Sequence, residues 1–172
     1  MNIMDKYSLQ DIINYVLNKY PDSDFSRDYR EGYYKHYSVE DYLDKLEEFF
    51  SYDILDLCGC GVPENTSQML KEFLQIMYDF KVTDRETYDW CEEQKRTYDM
   101  CRVPVVEGSY NTIYEGLIQY LQYTLDSAGI LEHGSSISSA WLTELGEMFL
   151  WVLNEEYGKG NKIMTNDEGE II

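Results

Sequence analysis

A mainly α-helical fold, with about six helices and one short β-hairpin, is the class this sequence predicts, and three observations predict it. Apolar residues recur at spacings of three and four in one stretch after another, the period of a helix with one buried face. Several of these stretches open on Ser or Thr with an acid three residues later, the pattern that caps a helix N-terminus. Only Ile130–Leu142 has a Gly-Ser turn between two short apolar runs, the signature of a hairpin.

Taken in order, Ser8 and Asp11 form a capping-box pattern, and Leu9, Ile12, Ile13, Val16, Leu17 and Tyr20 keep helical spacing until Pro21. Residues Asp22–Tyr37 are polar and aromatic and read as loop. Ser38 caps a second helix whose apolar residues Val39, Tyr42, Leu43, Leu46, Phe49 and Phe50 lie opposite Glu40, Asp41, Asp44, Glu47 and Glu48. The run Leu57-Cys58-Gly59-Cys60-Gly61 reads as a turn, and Pro63 stands near the start of a third helix. That helix buries Met69, Leu70, Phe73, Leu74, Met77 and Phe80. Thr83 and Glu86 cap a fourth, reaching to about Cys101. After Pro104 and Gly108 a fifth runs from about Tyr110 to Ala128, with Gly129 as its stop. The hairpin follows, and Thr143 caps a last helix carrying Leu145, Met148, Phe149, Val152 and Leu153. Residues 1–157 are expected to form a single helical domain, and 158–172 a mobile polar tail.

Charge bounds the function. The 172 residues carry a net charge of −19, of which residues 103–157 hold eight carboxylates with no Lys or Arg. A same-sign field of this size disfavours nucleic acid and anionic lipid as direct partners and favours basic ones. Seventeen tyrosines supply stiff amphipathic area, suited to contact surfaces and to the edge of a core. No run approaches the roughly 18 apolar residues of a membrane span, and Met1–Asp5 lacks the features of a signal peptide. A cytoplasmic protein with reduced thiols is expected.

Chemistry finds little support. Cys58, Cys60, Cys91 and Cys101 invite zinc, but ten helical residues separate Cys91 and Cys101 by about 15 Å, whereas zinc ligands lie within about 4 Å of one another. Neither His36 nor His133 stands in a nucleophile arrangement, and no phosphate loop or dinucleotide fingerprint occurs. The expectation is no enzyme, no metal and no cofactor.

Two surfaces are the candidates for partner binding. One is the acid face of the second helix, Glu40, Asp41, Asp44, Glu47 and Glu48, where acids at spacings of three and four stand about 5–6 Å apart with only Lys45 beside them. The other surrounds the hairpin and the helix before it: Glu115, Tyr120, Tyr123, Asp126 and Glu132.

The order helix, hairpin, helix in the C-terminal half resembles a winged-helix domain, and Leu142-Thr143-Glu144-Leu145-Gly146 resembles the junction from wing to helix in such regulators. The cations that would grip phosphate are missing, so DNA binding does not carry over. Two further segments, Asp56–Glu64 (Asp-Leu-Cys-Gly-Cys-Gly-Val-Pro-Glu) and Leu125–Ser136 running into Trp141-Leu142-Thr143, resemble stretches in small acidic accessory proteins of phages and prophages of Gram-positive bacteria. That resemblance brings no catalytic residue. It implies a phage-type inhibitor, anti-CRISPR or a similar anti-defence protein. Such a protein would sit in the host cytoplasm and bind the positively charged nucleic-acid site of a host protein as an acidic mimic. The alternatives are a homo-oligomeric or scaffolding helical module and a degenerate winged-helix regulator.

Overall fold

The structure is a computed structural model, and it describes residues 2–55, 66–79, 89, 93, 125–134 and 140–154. The four cysteines, Pro63, the Thr83 cap, Glu115, Tyr120, Tyr123 and the tail lie outside the described residues. The fold is mainly helical, with a two-stranded antiparallel sheet. The chain divides into two compact units, Met1–Asp56 with Trp151–Ile172, and Leu57–Leu150.

In the first unit a 3₁₀ turn, Ile3–Asp5, leads into α1, Leu9–Lys19. The capping box is complete: Asp11 N donates to Ser8 Oγ at 3.1 Å, and Ser8 N donates to Asp11 Oδ2 at 2.9 Å. Leu9, Ile12, Ile13 and Val16 are buried, the stripe that the spacing predicts.

The segment after Pro21 corrects the sequence expectation of a loop. It contains α2, Asp24–Arg30, capped by Ser23, whose hydroxyl accepts from Ser26 N at 3.2 Å. Two turns are too short to show a helical period. What holds them is burial of Phe25 and of Ser26, whose hydroxyl donates to the Val16 carbonyl at 3.4 Å. The helix ends in a Schellman closure, with Gly32 N donating to Tyr29 O and Tyr33 N to Asp28 O, and Gly32 takes the left-handed φ of +83° that this closure needs.

Helix α3, Val39–Glu48, repeats the capping box of α1: Asp41 N donates to Ser38 Oγ at 3.1 Å and Ser38 N to Asp41 Oδ2 at 3.2 Å. At Phe49 the backbone widens into a π-helical segment, Phe49–Ile54, where Leu55 N reaches Phe50 O at 3.0 Å. Phe49, Phe50 and Leu55 are all buried. A helix of 3.6-residue period cannot keep two adjacent Phe residues and a residue five further on equally inward. The wider turn can.

In the second unit α4, Thr66–Asp79, buries Leu70, Phe73, Leu74 and Met77 and packs against the second strand. The helix before the hairpin is described for Leu125–Ser127, and Gly129 (φ +77°) stops it as expected. Gly129 N donates to Asp126 O and Ile130 N to Leu125 O, the same Schellman closure, with Leu125 and Ile130 both buried. Strands β1, Leu131–Glu132, and β2, Trp141–Leu142, pair antiparallel with Leu131 opposite Leu142 and Glu132 opposite Trp141. Thr143 then caps α5, Glu144–Val152, its hydroxyl accepting from Gly146 N at 3.1 Å. Leu145, Met148, Phe149, Val152 and Leu153 are buried as the spacing predicts, and so are Leu150 and Trp151, so α5 is apolar and enclosed nearly all round. No helix among the described residues is long and apolar enough to cross a membrane.

Candidate functional site

The acid face of α3 is the first site to build, because its local chemistry is complete. Tyr42, Leu43 and Leu46 turn inward, and the same 3.6-residue period carries Glu40, Asp41, Asp44 and Glu48 to exposed positions and Glu47 to a half-buried one. Two of the five have local duties. Asp41 closes the capping box, and Glu48 accepts an ion pair from Lys45 at 3.3 Å. Among the described residues, Glu40, Asp44 and Glu47 have no cation paired to them. Each like-charge neighbour three or four positions away costs a few tenths of a kcal/mol. Glu40, in the first turn, recovers a similar amount from the helix dipole.

Beside this face, α2, α3 and the π-helical segment enclose a pocket of about 240 Å³. Its apolar wall is Phe25, Tyr34 and Phe49, all buried, with ring centroids 5.2 Å apart for Phe25 and Tyr34 and 6.4 Å apart for Phe25 and Phe49. Tyr42 locks the wall from behind by donating its hydroxyl to the Tyr34 carbonyl at 2.9 Å. Burial and the nearby Asp28 carboxylate, to which Tyr34 donates at 3.5 Å, push the Tyr34 phenol far above its ordinary value. Burial likewise raises Tyr42, to about 12.

The polar lining is Asp24 and Asp28 from α2, Lys45 and Glu48 from α3, and Asp53 from the π-helical segment, with Tyr52 exposed at the rim. Arg27 pairs with Asp24, and Lys45 with Glu48. Desolvation in the pocket, then repulsion from Asp24 and Glu48, raises the Asp53 carboxyl above the usual carboxylate range, and Arg27 only partly offsets this.

A raised carboxyl pKa means that the folded chain holds its proton to higher pH than the unfolded chain. Asp53 therefore opposes folding increasingly as pH rises from the ordinary carboxylate value through the raised one. Asp53→Asn is expected to gain thermal stability relative to the parent as pH rises from the ordinary carboxylate value through the raised one, and to hold that gain above it. Melting curves across that range check this, and a difference that stays constant with pH would remove the charge explanation.

The structure thus brings Glu40, Asp41, Asp44, Glu47 and Glu48 together on one helix. Asp126 and Glu132 belong to the other unit, both exposed, with Glu132 beside the half-exposed Trp141 across the strand pair. Sequence reasoning missed Asp24, Asp28, Tyr34, Tyr52 and Asp53. Asp24 and Asp28 are four residues apart, a helical spacing, but they stand in a stretch with too few apolar residues to read as helix. Nothing in the 3.6-residue pattern announces the π-helical turn that carries Tyr52 and Asp53. Among the described residues no group of three His, Cys, Asp or Glu side chains converges as a metal site would require.

No protein-family model matches the chain, and no curated protein or solved structure is significantly similar to it. The functional reading therefore rests on the charge and geometry of these residues.

Proposed function

We propose that the protein is a non-enzymatic inhibitor that acts as an acidic mimic of nucleic acid, occupying the positively charged nucleic-acid-binding site of another protein. A phage-type anti-defence role, anti-CRISPR or similar, is the setting implied by the sequence resemblance. The observation that carries the reading is the row of carboxylates on α3, ordered by its helix, with Glu40, Asp41, Asp44 and Glu48 exposed and Glu47 half-buried. Five acids between Glu40 and Glu48 span about 12 Å of helix. That is about one charge per 3 Å, close to the one phosphate per ~3.4 Å of a DNA strand. Lys45 removes one of them and leaves the row predominantly negative.

The test is competition. The full chain should displace DNA from a basic nucleic-acid-binding nuclease, such as a CRISPR effector, with affinity that falls steeply as salt rises. Absence of affinity for such proteins at low salt would sink the proposal. A second reading, a self-associating or scaffolding module, is favoured by the exposed aromatic rings of Tyr33, Tyr52 and Trp141. Sedimentation over a concentration series separates the two, since a strict monomer has no stable self-contact.

A further inference from the structure

The pocket enclosed by α2, α3 and the π-helical segment combines features that the acid face alone lacks. Its wall is aromatic, with Phe25, Tyr34 and Phe49 buried and Phe25 in ring contact with both of the others, while Tyr52 at the rim is 63% exposed. Its polar lining is unbalanced, with four carboxylates against Lys45. The ion pairs Arg27–Asp24 and Lys45–Glu48 leave out Asp53, which is repelled by Asp24 and Glu48. One added cation would turn that repulsion into attraction. At about 240 Å³ the cavity is smaller than the roughly 300–1,000 Å³ of pockets for drug-sized ligands, and it suits a single side chain.

We propose that this pocket receives an arginine side chain of the basic partner, its guanidinium lying among the aromatic rings and paired with the Asp53 carboxylate. The proposal rests on the reading of the protein as a ligand of cationic proteins, and it names the chemistry recognised. Guanidinium fits better than ammonium for three reasons. It is planar and stacks on ring faces, its fork matches a carboxylate, and its weaker hydration makes it less costly to bring into a partly apolar pocket. The lack of a three-ligand cluster among the described residues makes a metal ion the poorer guest.

The probes are nona-arginine and nona-lysine peptides, titrated into the full chain at low salt. Nona-arginine should bind more tightly. The double variant Tyr52→Ala, Asp53→Asn removes one ring and one charged acceptor, and both positions are exposed, so it should fold, which circular dichroism checks. A ring–cation contact and a charge-assisted hydrogen bond together predict about tenfold or greater loss of nona-arginine affinity, with the preference over nona-lysine shrinking in parallel. Asp5→Asn, an equal change in net charge at an exposed site away from the pocket, should change affinity less than about twofold.

Equal affinity for the two peptides, or a double variant that binds nona-arginine as the parent does, overturns the pocket. If binding survives in the double variant but is lost when Glu40, Asp44 and Glu47 are neutralised, the acid face remains as the site and only the pocket falls. If neither peptide binds at low salt, the pocket and the broader function fall together.

Discussion

Replacing Glu40, Asp44 and Glu47 together by their amides is expected to weaken binding to a basic groove by about a hundredfold at low salt, with little change in stability. Each rim carboxylate facing a cationic cleft contributes about 1 kcal/mol, and three such contacts make roughly 3 kcal/mol, or about two powers of ten. The salt dependence should flatten as well, because fewer charges are neutralised on association. For folding, two small effects oppose each other. Relief of like-charge spacing contributes a few tenths of a kcal/mol per pair, and loss of Glu40 from the first turn of α3 costs a similar amount. Asp41 is left in place because its carboxylate accepts the Ser38 N–H in the capping box. A variant that melts like the parent and still binds at full affinity would exclude this face. One that melts much lower would show the acids to be structural.

Gly146→Ala is expected to destabilise the second unit by about 2 kcal/mol, although alanine is the better helix former. In an open helix interior the exchange would favour the fold by about 1 kcal/mol, and less here, in the first turn of α5. At Gly146, however, an added Cβ would overlap the backbone carbonyl oxygen of Ile130. That carbonyl also accepts from Thr143 N and from the Thr143 hydroxyl, both at 3.1 Å. Relieving the overlap pulls the start of α5 away from the end of the preceding helix and loosens both bonds. Overpacking against backbone costs about 1–3 kcal/mol, and the lost hydrogen bonds add to it. Thermal melting should fall by about 4–8 °C in a chain of this length. Gly129→Ala is the comparison. Space around Gly129 is open, so only the unfavourable left-handed φ counts, about 1 kcal/mol. A Gly146→Ala protein as stable as the parent would mean that the close approach to Ile130 is not tightly held.

Much of the fold is legible in the residues because it follows from local rules. The capping box at Ser8, the cap at Ser38, the Gly129 stop and the Thr143 cap depend on atoms within a few residues of one another, and each is found where the pattern puts it. The opposed faces of α3 are a matter of period alone. Helix α2 escaped the pattern because two turns with one buried Phe have no measurable period. The π-helical turn escaped because its cause is the joint burial of Phe49, Phe50 and Leu55, a demand of the surrounding core. The candidate surface at Glu115, Tyr120 and Tyr123 falls outside the described residues, while Asp126 and Glu132 are exposed.

By itself, the sequence determined a strongly anionic, mainly helical chain with one acid row facing away from a buried stripe. Charge and helical period are properties of residues near one another in the chain, so no packing information is needed to read them. Only the tertiary structure decided that Asp24, Asp28 and Asp53 share an aromatic pocket, and that Gly146 must lack a side chain. Those facts depend on backbone and rings brought together from distant parts of the chain, and no local pattern encodes distance through space.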